Sequence, residues 1–327
     1  MTRCSLLSMC GDVFITSLLL KLWKRDWYNE IDHLYINFNN HCQVPPEVVA
    51  EFTGSIAKEP KITFVYHPTG CGNGPPQVEL LKICKEDLVL LLEDDFFIFT
   101  SGVVDGYFKR IESGETDLLG SPRYSYGEVA DAAKKKYNLD YSGSGDRGFG
   151  LWPTGLFCKR KDLLRTDLDF GSKKYGKGEY FKELDHTFKE DNFTDTFTWT
   201  SIQLRYLGLK ILEIPQNHAS VYEIEEHRLK TMNWSKEIKY IHGGSLSAGI
   251  GGYLSGRLPD VSHDAAKQEM ESRVAFWQIV VQQDMTAGMA GFAIAYQVGI
   301  DLLIKNAELD RSRIDKKIII YRDLMKI

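Results

Sequence analysis

The sequence is poor in the features that mark specialised classes of chain. Its six cysteines, Cys4, Cys10, Cys42, Cys71, Cys84 and Cys158, form no Cys-x-x-Cys pair and no density of the kind that staples small secreted domains. Reduced thiols in a cytoplasmic setting are therefore expected. Positive charge is not in excess: 40 Lys and Arg stand against 45 Asp and Glu, a formal net charge of −5. That excludes a surface coated all round with phosphate-binding residues, while a local basic face stays possible. The apolar region from Val274 to Lys305 is broken by Gln278, Gln282, Gln283, Asp284 and Gln297. Its pieces are shorter than the roughly 18 to 20 apolar residues that a membrane span needs, so no integral membrane segment is expected. Gly11 and Asp12 interrupt the first apolar stretch and no small-residue cleavage site follows, so no secretory signal is expected either. Without secretion, Asn192-Phe193-Thr194 and Asn233-Trp234-Ser235 are chance matches to the glycosylation pattern.

What remains is ordinary in bulk and informative in order. Hydrophobic residues at 43% and charged residues at 26% exclude a disordered, collagenous or low-complexity chain. A length of 327 residues predicts one large domain of about 200 to 250 residues plus a smaller unit. Strands are predicted over Arg3 to Met9, His33 to Phe38, Lys61 to Tyr66, Leu88 to Leu92, Leu118 to Ser121, Gly155 to Lys159 and Lys210 to Ile214. Helices are predicted over Val13 to Trp27 behind Asp12, Glu47 to Phe52 behind Pro45 and Pro46, Gln77 to Cys84 behind Pro75 and Pro76, and Thr194 to Leu207 entered by Asp195. This rhythm needs crossovers and hence an α/β fold with a single, mainly parallel, Rossmann-like sheet flanked by helices. Ligands of such sheets bind beyond the carboxyl ends of the strands. Residues 143–155, GSGDRGFGLWPTG, are too irregular for an element and long enough for a working loop. Beyond about His227 a glycine-rich segment leads into two helical patterns, dividing the chain into a main α/β domain at 1–226 and a helical extension at 227–327.

The most informative stretch is LVLLLEDDFFIF, residues 88–99. Five consecutive apolar residues describe a strand buried on both faces, and three carboxylates begin where it ends. In extended chain Glu93 and Asp95 point to one side and Asp94 to the other, so acids at the sheet edge are set to receive a divalent cation. Helix-capping, solvated acids are the competing account. Placement after a buried strand and ahead of a helix starting near Val103 favours the cation.

Here the chain, over about residues 3 to 245, resembles the nucleotide-sugar glycosyltransferases of the A-type fold, whose strand-end Asp-x-Asp or Glu-Asp-Asp motif holds Mn²⁺ or Mg²⁺ against the donor diphosphate. The resemblance implies a metal-dependent, inverting transferase moving a hexose or pentose from a nucleoside diphosphate, UDP in the first instance, to an acceptor hydroxyl. It implies Asp95 as direct metal ligand, with Glu93 and Asp94 contacting the donor or supporting the metal. Ser8, Asn37, Asn39, Asn73 and Gly74 match positions that touch the nucleotide. The run DNFTDTFTWTSIQLRYLGLKILEIP, residues 191–215, resembles the segment that carries the general base, which implies Asp195 or, alternatively, Asp191. Here Thr194 precedes Asp195 where the family usually has another acid. His242 in IHGGSLS looks like the histidine that completes the metal site, with His218 and His227 as competitors.

Between Pro122 and Lys182 thirteen basic residues face eight acids, in the segment where such enzymes bind the acceptor. Arg123 and Trp152, with Tyr124, Tyr126 and Phe149, would suit an anionic glycan, a phosphorylated lipid head or a modified nucleic-acid base; ordinary solvated surface is the plain alternative. In the helical tail, the alternating acids and bases after Leu303 (KNAELDRSRIDKK) suggest an exposed helix, while Ala275 to Leu303 would pack on the main domain or on a second subunit, which would give a homo-oligomer. The enzymatic rival is a sugar nucleotidyltransferase, but LLSMCGDVF lacks its Gly-rich, basic opening loop. From a different class, the rival is a non-catalytic carbohydrate- or nucleic-acid-binding module.

Overall fold

A computed structural model describes residues 1–9, 13–40, 46–72, 74–94, 96–98, 101–123, 128–138, 150–214, 240–242, 309–325 and isolated positions between 267 and 305. The first half alternates as predicted: β1 (Arg3–Met9), α1 (Val13–Leu22), β2 (His33–Asn39), α2 (Pro46–Ile56), β3 (Ile62–His67), α3 (Gly74–Ile83) and β4 (Leu88–Glu93). There follow β5 (Phe96–Ile98), α4 (Val103–Glu112), β6 (Leu118–Gly120), β7 (Pro122–Arg123), α5 (Glu128–Tyr137), β8 (Gly150–Leu151), β9 (Leu156–Lys159) and α6 (Arg160–Leu163). Two small hairpin ladders come next: β10 (Lys173–Tyr175) pairs with β13 (Asn192–Thr194), and β11 (Tyr180–Phe181) with β12 (His186–Thr187). Then α7 (Thr198–Tyr206), β14 (Ile211–Glu213), β15 (Tyr240–His242) and α8 (Arg311–Met325) complete the described elements.

Seven strands form the central sheet in the order β14-β6-β9-β4-β1-β2-β3. All neighbours run parallel except at β9, which is antiparallel to both β4 and β6. Alternate residues feed two cores, because successive side chains of a strand leave by opposite faces. Leu7, Met9, Leu34, Ile36, Phe38, Leu88, Leu90 and Leu92 join α1, α2 and α4 on one side. Cys4, Leu6, Tyr35, Val89 and Leu91 join α3 and Phe197 on the other. All six residues of β4 are buried, which is why its sequence is a continuous apolar run with no alternation. Phe157 of β9 packs edge-on against Phe108 at 5.2 Å and Tyr107 at 5.1 Å; truncating such a ring to Ala costs about 3 to 5 kcal/mol.

Three departures from the sequence reading have local causes. The predicted helix Val13 to Trp27 ends as α-helix at Leu22 and passes into a π turn over Trp23–Trp27. That wider turn lets Trp23 and Trp27 both bury fully, ring centroids 6.3 Å apart and edge-on. The predicted helix Thr194 to Leu207 begins only at Thr198, since Thr194 is taken by the β10–β13 ladder, where it pairs with Lys173. The polar stretch after Leu303, expected to be an exposed helix, sends Ile314 and Ile318 into the main core together with Met270, Val274, Ala275 and Leu309. Glu271, 1% exposed, meets Arg313 at 3.2 Å and Lys317 at 3.9 Å, and burial pulls the Lys317 ammonium down to about 8. Among the described residues no helix is long and apolar enough to cross a membrane.

Candidate active site at the carboxyl ends of β1, β2 and β4

The chain leaves β1 toward β2 and β3 on one side, while β4 lies on its other side. The crevice between β1 and β4 is therefore the topological switch point, where α/β sheets bind ligands. There Ser8 and Glu93 are register partners, so two residues chosen from distant parts of the sequence are neighbours. Asp94 follows, 1% exposed, and Glu93 is 8% exposed. The Glu93 backbone N–H donates to Thr154 Oγ1 at 3.0 Å, which fixes the strand end where the carboxylates begin. Asp95 lies outside the described residues. Phe96, two residues after Asp94, pairs directly with His242 in the antiparallel β5–β15 ladder, so a backbone position 148 residues beyond Asp94 in the sequence is brought to the end of β4. His218 and His227 lie outside the described residues.

The second wall is built from β2, β3 and α3. Asn37, fully buried, donates through Nδ2 to Glu79 Oε2 at 2.8 Å, and His67 Nε2 meets the same oxygen at 2.5 Å. Asn39 is committed to the loop above it: its Oδ1 accepts from Cys71 N–H and its Nδ2 donates to Gly72 C=O, both at 2.8 Å. Asn39 thus holds the loop in place, and any nucleotide contact there falls to the loop it shapes. Asn73 lies outside the described residues. Gly74 opens α3 against the Phe170–Gly171 backbone, where a Cβ would lie 2.3 Å from Phe170 O. Only glycine allows that approach. Gln77, also fully buried, donates to Pro153 O at 3.0 Å.

Three buried polar atoms on these walls, Ser8 Oγ, Asn37 Oδ1 and Gln77 Oε1, have no hydrogen-bond partner among the described residues. Orphaned buried acceptors are rare in finished cores, and a site awaiting a polar ligand is where they are tolerated.

The third wall comes from α7. Phe197 stands at its N-cap with φ 67°, a conformation that is an outlier for a bulky side chain and is held only when the surroundings enforce it. Its ring lies edge-on to Phe170 at 4.8 Å, and its N–H donates to Phe170 O at 3.0 Å. The residue entering the helix is therefore Phe197, and Asp195 does not serve as its cap. Asp195 is exposed, its Oδ1 accepting the Thr196 backbone N–H at 2.7 Å. Asp191, also exposed, accepts the Lys177 N–H at 2.8 Å at the opposite end of β13, about 13 Å of extended chain away. Ser201 of α7 bonds both Leu151 N–H, at 3.0 Å, and Phe197 O, at 2.8 Å. It thereby fixes the strand that leads into the half-buried Trp152 and the fully buried Thr154. Arg123 pairs with Gly150 across β7–β8. Part of the predicted basic surface is already neutralised, by Lys159–Asp117 at 2.8 Å, Arg165–Asp162 at 3.4 Å and Lys173–Asp169.

Thr154 and Gln77 were not singled out in the sequence. Thr154 had a weak signal in the predicted loop, whereas a glutamine inside a helix carries no mark of the face it will occupy. No protein-family model matches the chain, and no curated protein matches it. Among solved structures it is similar to S. aureus TarS 1-349, with 11% identity over 100% of this chain and 90% of that one and a TM-score of 0.43. It is similar to the same protein in complex with UDP-GlcNAc, at 12% identity over 97% and 84% and a TM-score of 0.40. A further likeness is to 4-diphosphocytidyl-2C-methyl-D-erythritol synthase from Anaerococcus prevotii, at 14% identity over 51% and 77% and a TM-score of 0.32. These likenesses are distant, and the chemistry below rests on this chain's own residues.

Proposed function

We propose that the protein is a metal-dependent glycosyltransferase of the A-type fold that moves a sugar from a nucleoside diphosphate, UDP in the first instance, to an acceptor hydroxyl with inversion. The observation that carries this reading is the register pairing of Ser8 with Glu93, first of the acidic residues, at the β1–β4 switch point, with His242 paired to Phe96 just beyond. Carboxylates with one imidazole form a donor set suited to Mn²⁺ or Mg²⁺. Asp95 and His242 would hold the ion, and Glu93 and Asp94 would hold the donor and orient that pair. When bound, the ion would offset charge on the departing diphosphate.

The chain's own residues supply the rest. Asn37, Asn73, Gly74 and the loop clipped by Asn39 line the nucleotide, with Asn37 Oδ1 open to a donor group. Asp195 takes the proton from the acceptor hydroxyl as the anomeric carbon is attacked on the face opposite the leaving group. Asp195 is favoured over Asp191 because it adjoins the Phe197–Phe170 junction that abuts Gly74, whereas Asp191 stands at the far end of β13. Trp152 and Arg123 face the acceptor, a glycan, lipid head or nucleic-acid base, with an anionic acceptor favoured.

The test is a thermal-shift screen of UDP-, GDP-, CMP- and dTDP-sugars, each with Mn²⁺ and with EDTA. One nucleotide should raise Tm in Mn²⁺ and lose its effect in EDTA, since a ligand bound only to the native state stabilises it. No shift with any pair would sink the reading.

A further inference from the structure

At the opposite end of the sheet, Cys4 of β1, Cys84 just past α3 and Glu86 before β4 bring two sulfurs and a carboxylate oxygen within 4.8 Å of one another. Both cysteines are buried, at 0% and 1% exposure, inside an apolar cluster with Leu80, Leu81 and Val89, while Glu86 is half-buried and gives a route in from solvent. Three segments that are remote in the sequence are thus gathered at one point, far from the acidic triplet at the carboxyl end of β4. We propose that Cys4, Cys84 and Glu86 form a binding site for a borderline-soft divalent cation of the zinc class, completed by water.

The donor set argues for that class. Two thiolates and a carboxylate select zinc over the hard Mg²⁺ or Mn²⁺ expected at the β1–β4 crevice. A tetrahedral ion with Zn–S and Zn–O bonds of about 2.0 to 2.3 Å sets its ligand atoms about 3.3 to 3.8 Å apart, a separation inside the 4.8 Å within which these three atoms lie. Charge balances as well. Three anionic ligands around a divalent ion leave one surplus negative charge, and the Arg160 guanidinium acts on the Cys84 sulfur. Tyr35 Oη donates to Glu86 Oε1 at 3.4 Å and orients the carboxylate, as outer hydrogen bonds do for metal ligands. The Cys4 thiol and Arg160 already hold the Cys84 sulfur toward its thiolate, while burial keeps Cys4 protonated. Binding would release the Cys4 proton and tie the start of β1 to the lead-in of β4.

The test uses the full chain, purified under reducing conditions, stripped with chelator and titrated with Co²⁺ and then Zn²⁺. Cobalt should give a thiolate-to-metal charge-transfer band in the near ultraviolet, which a carboxylate–imidazole site at the other end of the sheet does not produce, and zinc should displace it and raise Tm. Changes outside the ligand shell alone cost about 10- to 100-fold in metal affinity, so Cys84→Ser, which removes one of the two thiolates, should weaken the band and lower affinity by at least about tenfold. Glu86→Gln, at a half-buried position, guards against a mere folding defect and should weaken binding while keeping the band. Absence of a thiolate band in the parent chain, a band unaffected by Cys84→Ser, or a Cys4–Cys84 disulfide found by peptide mapping of the reduced preparation would each overturn the proposal.

Discussion

The two ends of the central sheet are built to different standards of completion. At the amino end polar groups are paired: Thr2 N–H donates to Asp87 at 3.0 Å, Arg3 N–H to Asp32 at 2.7 Å, and the Arg3 guanidinium to Glu112 at 2.7 Å and Asp105 at 2.8 Å. At the carboxyl end Ser8, Asn37 and Gln77 each keep a buried oxygen without a partner among the described residues. A folded chain tolerates such atoms at a cost of about 1 to 3 kcal/mol each. These three lie together at the switch point, the place where α/β sheets bind ligands.

The comparison breaks most completely at Gly74. A Gly74→Val side chain would collide with the Phe170 carbonyl, so the carboxyl-end walls separate and stability falls by about 3 kcal/mol or more in urea denaturation. Next in size, Asp94→Asn preserves shape at a buried position and should lower kcat/KM about a thousandfold while leaving Tm close to the parent value. Asp195→Asn should lower kcat by about 100- to 10,000-fold, with Asp191→Asn close to the parent enzyme; the reverse order would move the base to Asp191.

The smallest change sharpens the contrast from the other end. Arg3→Ala should cost about 1 to 2 kcal/mol and leave nucleotide-dependent shifts intact. It also has a pH signature. The Arg3 hydrogen bond holds the Glu112 carboxyl below its ordinary range, so that group adds stability above its unfolded pKa and loses it as pH falls through its folded pKa. Urea midpoints measured from neutral to acid pH should therefore fall less steeply in Arg3→Ala than in the parent.

Much of the fold was legible because the signals were local. The apolar run Leu88 to Leu92 ends within one residue of the observed strand, and β1 spans Arg3–Met9 as predicted. Of the candidate site, the acidic cluster Glu93–Asp94 was legible, since charge after a buried strand is visible in one dimension. The resemblance implies Asn39 as a nucleotide contact, while the hydrogen bonds of its amide to the Cys71–Gly72 loop depend on folding and leave no mark in the sequence. The two hairpin ladders between Lys173 and Thr194 were missed because their strands are two or three residues long, too short for a periodic pattern to register.

By itself the sequence determined the parallel α/β architecture and the placing of an acidic cluster at the end of its central strand. Hydrophobic periodicity and strand–helix alternation act over neighbouring residues and survive in linear order. Only the tertiary structure decided that Ser8 stands beside Glu93, that His242 lies opposite Phe96, that Phe197 and not Asp195 enters α7, and that Cys4 and Cys84 meet. Each of these rests on register or packing between segments far apart in the chain, which is fixed when the sheet pairs and the two cores close.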